Sequence, residues 1–158
     1  MKNALMMSLC LISLSAWPAA AEEPGLFPAQ EGGKFGYIDS RGRMAIKPEF
    51  DWAFGFSNGL ALVNIGGIRN EMGFVIGGKW GYIDQRGRVV INPRYDDAKE
   101  FSEGLALVNL GGKPNELGLL SGGKRGYIDR KGELVIEAKY EDARSFSEGL
   151  ALVRVDDR

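Results

Sequence analysis

The sequence predicts an all-β protein built as an antiparallel β-hairpin repeat array, and three observations support that fold class. First, one pattern occurs three times in register: Gly-Tyr-Ile-Asp stands at residues 36–39, 81–84 and 126–129, so equivalent positions are 45 residues apart. Second, each copy alternates large and small side chains with the period of a strand. Third, each copy carries Asp-x-x-Gly, a tight-turn signal, between two such runs.

The second copy shows the unit most clearly. In residues 80–84, Trp80, Tyr82 and Asp84 alternate with Gly81 and Ile83, and this period of two predicts a strand. Residues 84–87, Asp-Gln-Arg-Gly, predict a tight hairpin into a returning strand at residues 89–91, which Pro93 ends because proline cannot donate to a ladder. A third strand is predicted at residues 105–108. The equivalent third strands of the other copies are residues 60–63 and 150–153.

Two connections complete each unit. Between Tyr95 and Phe101 the sequence is polar and short, and Ala98 lies three residues before Phe101, which predicts a short turn or a single helical turn. The glycine-rich stretches at residues 66–78 and 111–123 enclose short apolar segments, so they predict long hairpin arms. A fourth short strand within each arm is an alternative that the pattern leaves open.

The N-terminus predicts export. Lys2, a mostly apolar run at residues 4–16 and three alanines at residues 19–21 match the basic start, apolar core and cleavage site of a secretory signal peptide. We therefore expect cleavage near Ala21 and a periplasmic or secreted protein. The run is too short to span a bilayer, so no transmembrane segment is expected in the mature chain. Cys10 lies inside the run, which is the wrong place for a lipid-modified cysteine.

The predicted organisation follows from the signal peptide and the register of the repeats. The repeated pattern begins where Gly-Gly-Lys first appears, at residues 32–34. The predicted parts are a signal peptide at residues 1–21, a lead-in segment at 22–33, and repeats at 34–78, 79–123 and 124–158, of which the last is truncated.

Composition excludes several classes of function. The chain has 20 Lys and Arg against 21 Asp and Glu, a net charge of −1, and the two signs are interleaved. Without a basic face, binding to nucleic acid is not expected. The chain has no histidine, and its one cysteine falls in the predicted signal peptide. Thiolate chemistry, the usual zinc sites and histidine-dependent triads are therefore excluded, and no cofactor or metal is expected.

The repeated acids Asp39, Asp84 and Asp129 are expected to be structural. A catalytic pair is normally unique in a chain, whereas a residue that recurs in one turn of every copy answers a backbone requirement. The protein is therefore expected not to be an enzyme, and no catalytic residue is assigned. A hydrolase that uses only Asp and Glu is the remaining alternative, and two carboxylates facing one cleft at glycosidase separation would support it.

The recurring segments resemble the WG repeat family, also called KWG repeats, which are bacterial β-rich repeats named for a Trp-Gly pair. The resemblance covers residues 34–154 and rests on aromatic-Gly-Tyr-Ile-Asp, Asp-x-x-Gly, Val-Ile-x-Pro-x-Tyr and Phe-Ser-x-Gly-Leu-Ala. Trp80 precedes glycine as the family name requires, Phe35 keeps an aromatic ring there, and Arg125 does not, which suggests a modified end cap. The resemblance implies a β-hairpin array with a role in protein interaction and no catalytic residues.

The sequence leaves open whether the array is open and twisted or closed into a three-fold barrel of trefoil type. Three copies permit closure, and Leu26 with Phe27 supply a candidate partner strand for the truncated last copy. The variable copy number usual in such families favours an open array. An open array leaves strand edges able to pair with a second copy, so self-association is an additional expectation.

Most aromatic side chains are expected to form the core, since a small β-repeat needs large groups between its layers. Trp52 is different because Asp97 and Asp142 occupy its position in the other copies, and we expect it to be exposed. The arms are more apolar than solvated loops require. The candidate interaction residues are Trp52, Trp80, Ile68, Met72, Phe74 and Leu117.

The leading functional hypothesis is a non-enzymatic protein–protein interaction module of the bacterial envelope, because the chain repeats without any unique reactive group. The alternative is a module that binds carbohydrate or cell-wall polysaccharide through exposed aromatic rings.

Overall fold

The computed structural model describes residues 25–115 and 119–155, and the predicted signal peptide and Leu117 lie outside these ranges. The described residues form thirteen strands and no helix. The strands are β1 (Phe27–Glu31), β2 (Lys34–Ile38), β3 (Met44–Phe50), β4 (Trp52–Ser57), β5 (Leu60–Arg69), β6 (Val75–Asp84), β7 (Val89–Tyr95), β8 (Asp97–Ala98), β9 (Ala106–Pro114), β10 (Leu120–Ile128), β11 (Leu134–Tyr140), β12 (Asp142–Ala143) and β13 (Val153–Arg154).

The strands form four antiparallel sheets in chain order. The first sheet is β1-β2-β3, the second is β4-β5-β6-β7, the third is β8-β9-β10-β11, and the fourth is β12-β13. The second and third sheets each join the last two strands of one sequence repeat to the first two strands of the next. The prediction of an all-β antiparallel hairpin array is therefore confirmed.

The sheets are stacked, and three apolar clusters lie between them. In β5 the odd-numbered Ala61 and Val63 pack toward the first sheet, whereas Leu60 and Leu62 pack toward the third sheet. A strand whose side chains alternate between two buried faces is apolar at nearly every position, as β5 is between residues 60 and 63. The third cluster, which includes Leu107, lies between the third and fourth sheets.

Buried tyrosines link each sheet to the next. The hydroxyl groups of Tyr37, Tyr82 and Tyr127 each donate to a backbone carbonyl 17 residues later in the chain, at 2.8 Å. All three rings are at most 1% exposed. Burial raises the pKa of each phenol above its ordinary value. The prediction that recurring aromatic positions form the core is confirmed for these residues.

The array is open. Leu26 and Phe27 do not reach the last repeat: β1 begins at Phe27 and pairs with β2, with Phe27 opposite Ile38. The closed trefoil alternative is therefore wrong for the described residues. Its proposed closing strand is used locally, because the two glycines at residues 32 and 33 have positive φ and turn β1 directly back onto β2.

The connection after each returning strand is also different from the prediction. It begins with a strand, whereas a short turn or a single helical turn was predicted: β8 pairs with β9, placing Ala98 opposite Val108. In the first repeat the same connection is the longer strand β4, which pairs with β5. Backbone N–H groups of this connection are satisfied by the neighbouring strand, as when the Lys99 N–H donates to the Leu107 carbonyl, so a helical turn has no advantage here.

The predicted hairpin arms are confirmed. Beyond residue 64, β5 continues to Arg69 and returns as β6 from Val75, and β9 and β10 form the second arm in the same way. Each arm extends the paired strands rather than adding a separate fourth strand. Residues 116–118 lie outside the described part.

Candidate aromatic interaction surface

Four aromatic rings lie in a line that begins on β2 of the first sheet and continues over β4 and β6 of the second sheet. The ring of Phe35 on β2 lies 5.2 Å from that of Trp52, which lies 6.4 Å from Phe54, which in turn lies 5.8 Å from Trp80. Trp52 and Phe54 are two residues apart on β4 and therefore share one face of that strand. We call Phe35, Trp52, Phe54 and Trp80 the aromatic strip.

Arg69, at the end of β5, covers one end of the aromatic strip. Its guanidinium carbon lies 5.1 Å from the centroid of Phe35 and 4.7 Å from the centroid of Trp52, which is cation–π geometry. The prediction that Trp52 is exposed is therefore wrong. Trp52 is half-buried, because two neighbouring rings and the arm's arginine lie against its indole.

The aromatic strip and the first arm enclose an open apolar groove. Trp52, Phe54, Phe74, Val75 and Trp80 line a cavity of about 200 Å³, which we call the aromatic groove. Phe74 is 60% exposed and Phe54 is 37% exposed, so much of the lining is accessible to a ligand. All five lining side chains are apolar apart from the indole N–H groups. Such a lining favours burial of an apolar group.

A second depression lies on the other side of Phe54 and Trp80. Its volume is about 150 Å³. Unlike the aromatic groove, it combines these rings with charged side chains of β8 and of the residues directly after β8. The charged residues of its lining are Asp97, Lys99 and Glu100.

The base of the first arm is fixed by polar contacts that place Phe74 over the strip. The Asp51 carboxylate accepts from Lys34 Nζ at 2.5 Å and from the Gly66 N–H at 2.8 Å. Asn64, fully buried, donates from Nδ2 to the Gly77 carbonyl at 3.3 Å. Its Oδ1 has no hydrogen-bond partner in the described part of the chain and would lie only 2.5 Å from a Cβ at Gly78. The arm therefore needs glycine beside this asparagine.

The structure brings together three of the six predicted interaction residues. Trp52, Trp80 and Phe74 line the aromatic groove. Met72 is 72% exposed near the tip of the first arm, and Ile68 instead lines a shallow cavity with Pro114 of the second arm. Leu117 lies outside the described residues.

Sequence reasoning missed Phe54, Val75 and Arg69. Phe54 carried a usable signal, because Lys99 and Arg144 stand at its position in the other copies. That is the same departure from the repeat that singled out Trp52. Arg69 carried no such signal, since its stacking depends on how the arm folds back over the strip.

Among the described residues, the aromatic groove is present in one copy of the repeat and not in the next. One repeat later, Trp52 and Phe54 are replaced by charged residues, Trp80 by arginine and Phe74 by leucine. The backbone of both regions is nevertheless alike, since Asp96 also holds Gly111 and Asn109 also donates to a glycine carbonyl. Side chains rather than backbone therefore create the groove. The four replacing residues are Asp97, Lys99, Arg125 and Leu119.

The repeated turn acids have the structural role predicted for them. Asp39 Oδ1 accepts from the N–H groups of Arg41 and Arg43 at 2.9 and 3.0 Å, and its Oδ2 accepts from the Arg43 side chain at 2.7 Å. These bonds, the Arg43 backbone bond first, hold the pKa of Asp39 below its ordinary value. For Asp84, partial burial raises the pKa, but hydrogen bonds from Arg88 outweigh it and lower it.

Comparison with known proteins identifies the repeat. No curated protein and no solved structure matches the chain significantly. No helix in the described ranges has the length and apolarity that a membrane span requires. A family model described as WG containing repeat matches three times, at residues 35–67, 80–113 and 126–158. These matches cover more than half of the sequence and coincide with the repeats deduced from its register, so the chain belongs to the WG repeat family.

Proposed function

We propose that this protein is an exported, non-enzymatic interaction module of the bacterial envelope, and that it binds a protein partner through the aromatic groove. The observation that carries the proposal is that, within residues 25–115 and 119–155, the groove forms once although the repeat that surrounds it recurs. The fold does not require these rings, because the next repeat builds the same backbone without them. Side chains that the fold does not require are available for binding.

The chemistry of the groove favours a protein segment with an apolar anchor. Tryptophan and arginine are enriched in the residues that dominate binding energy at protein interfaces. Here Trp52, Trp80 and the exposed Phe74 line one apolar cavity, and the Arg69 guanidinium stacks on the Trp52 ring. A leucine, phenylalanine or proline side chain of a partner would displace water from these rings.

Export is supported by the first 21 residues, which have the composition of a signal peptide. Fractionation of the source bacterium tests this part of the proposal. We expect the protein in the periplasmic or culture fraction with Glu22 as its first residue. A cytoplasmic protein that retains Met1 would contradict it.

The absence of an enzymatic role is supported by the turn acids. Asp39, Asp84 and Asp129 each accept two backbone N–H bonds in equivalent hairpins, so these carboxylates are engaged in the fold. The recurrence of one bonding pattern at all three positions is typical of a structural need.

A crosslinked pull-down from envelope extract tests the partner, with the tagged chain as bait and mass spectrometry as readout. We expect one reproducible protein partner, whose recovery falls at least tenfold for Phe74→Ala. The matched control is Leu119→Ala, at the same position of the second arm and 52% exposed. Recovery unchanged by Phe74→Ala, or no protein partner while the circular dichroism spectrum stays native, would contradict the proposal.

Carbohydrate is the second candidate, and the charged depression favours it. Sugar binding combines ring stacking with hydrogen bonds to hydroxyl groups, and Phe54 and Trp80 lie beside Asp97 and Glu100 there. Retention on insoluble cell-wall polysaccharide is the test. Loss of retention in both Trp80→Ala and Glu100→Gln would support it, and retention that is absent or unchanged would exclude it.

A further inference from the structure

The segment just before β13 exposes leucines whose counterparts in the first repeat are buried. Leu150 and Leu152 are 77% and 68% exposed, whereas Leu60 and Leu62, at the equivalent positions, are 6% and 2% exposed. The internal leucines are covered because β5 pairs along its second edge with β6 and packs against the next sheet. Among residues 25–115 and 119–155, β13 pairs with β12 and with no strand on its other edge.

The backbone around β13 already has the internal conformation. Ser147 and Leu150 exchange two backbone hydrogen bonds of 2.9 and 3.1 Å, and the Arg144 N–H donates to the Leu152 carbonyl at 2.9 Å. The same three bonds occur one repeat earlier, where the outer edge is paired. A strand held in its pairing geometry loses little conformational entropy when a partner arrives. The earlier counterparts are Ser102 with Leu105, and Lys99 with Leu107.

We propose that β13 of one copy pairs with β2 of a second copy, in the place that β1 occupies in the isolated chain. β2 carries the Gly-Tyr-Ile part of the repeated pattern. The internal strands that carry the same pattern, β6 and β10, pair with β5 and β9. The internal register sets Leu62 opposite Tyr82 and Leu107 opposite Tyr127. The same register sets Leu152 opposite Tyr37 of the second copy.

β1 is a weaker partner for β2 than an internal strand would be. It has five residues, whereas β5 has ten. Pro28 stands opposite Tyr37, at the position that Leu62 takes in the second sheet. Leu152, directly before β13, offers a side chain of the internal type at this position.

A ladder of serine bonds between repeats would continue across the same junction. Ser57 Oγ donates to the Phe101 carbonyl at 2.9 Å, and Ser102 Oγ donates to the Phe146 carbonyl at 2.8 Å. Ser147 is next in this series and has no such acceptor among the described residues. In a second copy, the carbonyl of Phe56 is the acceptor at the equivalent repeat position. The contact is head-to-tail, so it propagates into an open chain of copies.

Disulfide crosslinking in the inferred register tests the proposal. Lys34 should lie opposite Val155 of the other copy, as Lys79 lies opposite Ile65. In a Cys10→Ser background, K34C/V155C should form dimers, trimers and longer species on a nonreducing gel. The control V135C/V155C pairs Val155 with an equally exposed valine on β11, outside the register. We expect at least tenfold more trimer and longer product from the first pair than from the control.

Light scattering gives an independent readout without cysteines. The wild-type chain should increase in average mass with concentration, Leu152→Asp should remain monomeric, and Val135→Asp should behave as wild type. Leu152 is largely exposed, so its substitution leaves the core intact. A wild-type chain that stays monomeric at millimolar concentration, an unchanged mass in Leu152→Asp, or a disulfide formed only within one chain would overturn the proposal.

Discussion

The first arm and the second arm share one backbone framework and present different surfaces. Asp51 and Asp96 fix the two bases through a glycine N–H, and Asn64 and Asn109 are buried beneath the two bends. Above these bases, the first arm presents Phe74 to three other aromatic rings, whereas the second has leucine there and charged neighbours. The comparison separates what the repeat needs in order to fold from what one copy adds to it.

The largest expected effect comes from breaking a shared part of the framework. Tyr82→Ala removes a ring that is 1% exposed together with its hydrogen bond to the Lys99 carbonyl. We expect a loss of about 3–5 kcal/mol in the free energy of unfolding, measured by urea denaturation. Trp80→Arg, which introduces the residue of the next repeat, should cost about 1 kcal/mol or less. Equal losses of unfolding free energy in the two variants would contradict the distinction between residues that the repeat needs in order to fold and residues that one copy adds.

The glycines beneath the arms should respond alike. Gly78 and Gly123 have φ of 67° and 76°, and a Cβ at either would lie within 2.5 Å of a buried asparagine Oδ1. Gly78→Ala and Gly123→Ala should each destabilise the protein by about 2 kcal/mol, since the strain and the close contact are the same. Urea denaturation of both variants is the measurement. A loss in one arm alone would show that the arms are not equivalent.

High pH should weaken the links between sheets. Burial raises the pKa of Tyr82 above the 10.0 of an exposed phenol, so above pH 10 the unfolded state releases a proton that the folded state retains. Stability is therefore full below pH 10 and falls as pH rises above it, by about 1.4 kcal/mol per pH unit for each strongly shifted tyrosine. Stability measured between pH 8 and pH 11 should fall less in Tyr82→Phe than in wild type.

The smallest expected effect on stability is the sharpest test of the two arms. Phe74→Leu and Leu119→Phe exchange the residues at one repeat position, and both side chains are more than half exposed. Each variant should unfold within about 0.5 kcal/mol of wild type. Capture of the partner should fall in Phe74→Leu and remain unchanged in Leu119→Phe. Capture that falls equally in both would locate binding outside the aromatic groove.

Local chemistry made much of the fold predictable. Asp39 and its equivalents mark the hairpins because a short acid accepts the N–H groups of its own turn. The arms were predictable because glycine recurs where both strands bend. The prediction of a short turn or a single helical turn near Ala98 missed a strand, because the partner of that segment is β9 and no local pattern identifies a strand of two residues.

The candidate surface was less predictable than the fold. Trp52, Trp80 and Phe74 were found because they depart from the repeat or lie in an arm. Their convergence, and the stacking of Arg69 on Trp52, depends on how far the first arm bends over the strip. Phe54 departs from the repeat in the same way as Trp52, and comparison of the copies could have found it.

The sequence by itself determined the repeat, its strands, its turns and the positions where one copy differs from the others, because these follow from spacing and from short-range backbone chemistry. Only the tertiary structure decided that the array is open, that Arg69 stacks on two rings of the aromatic strip, and that Leu152 is exposed while Leu62 is buried. Those outcomes depend on which sheet lies against which, and contacts between distant parts of the chain leave no periodic signal in it.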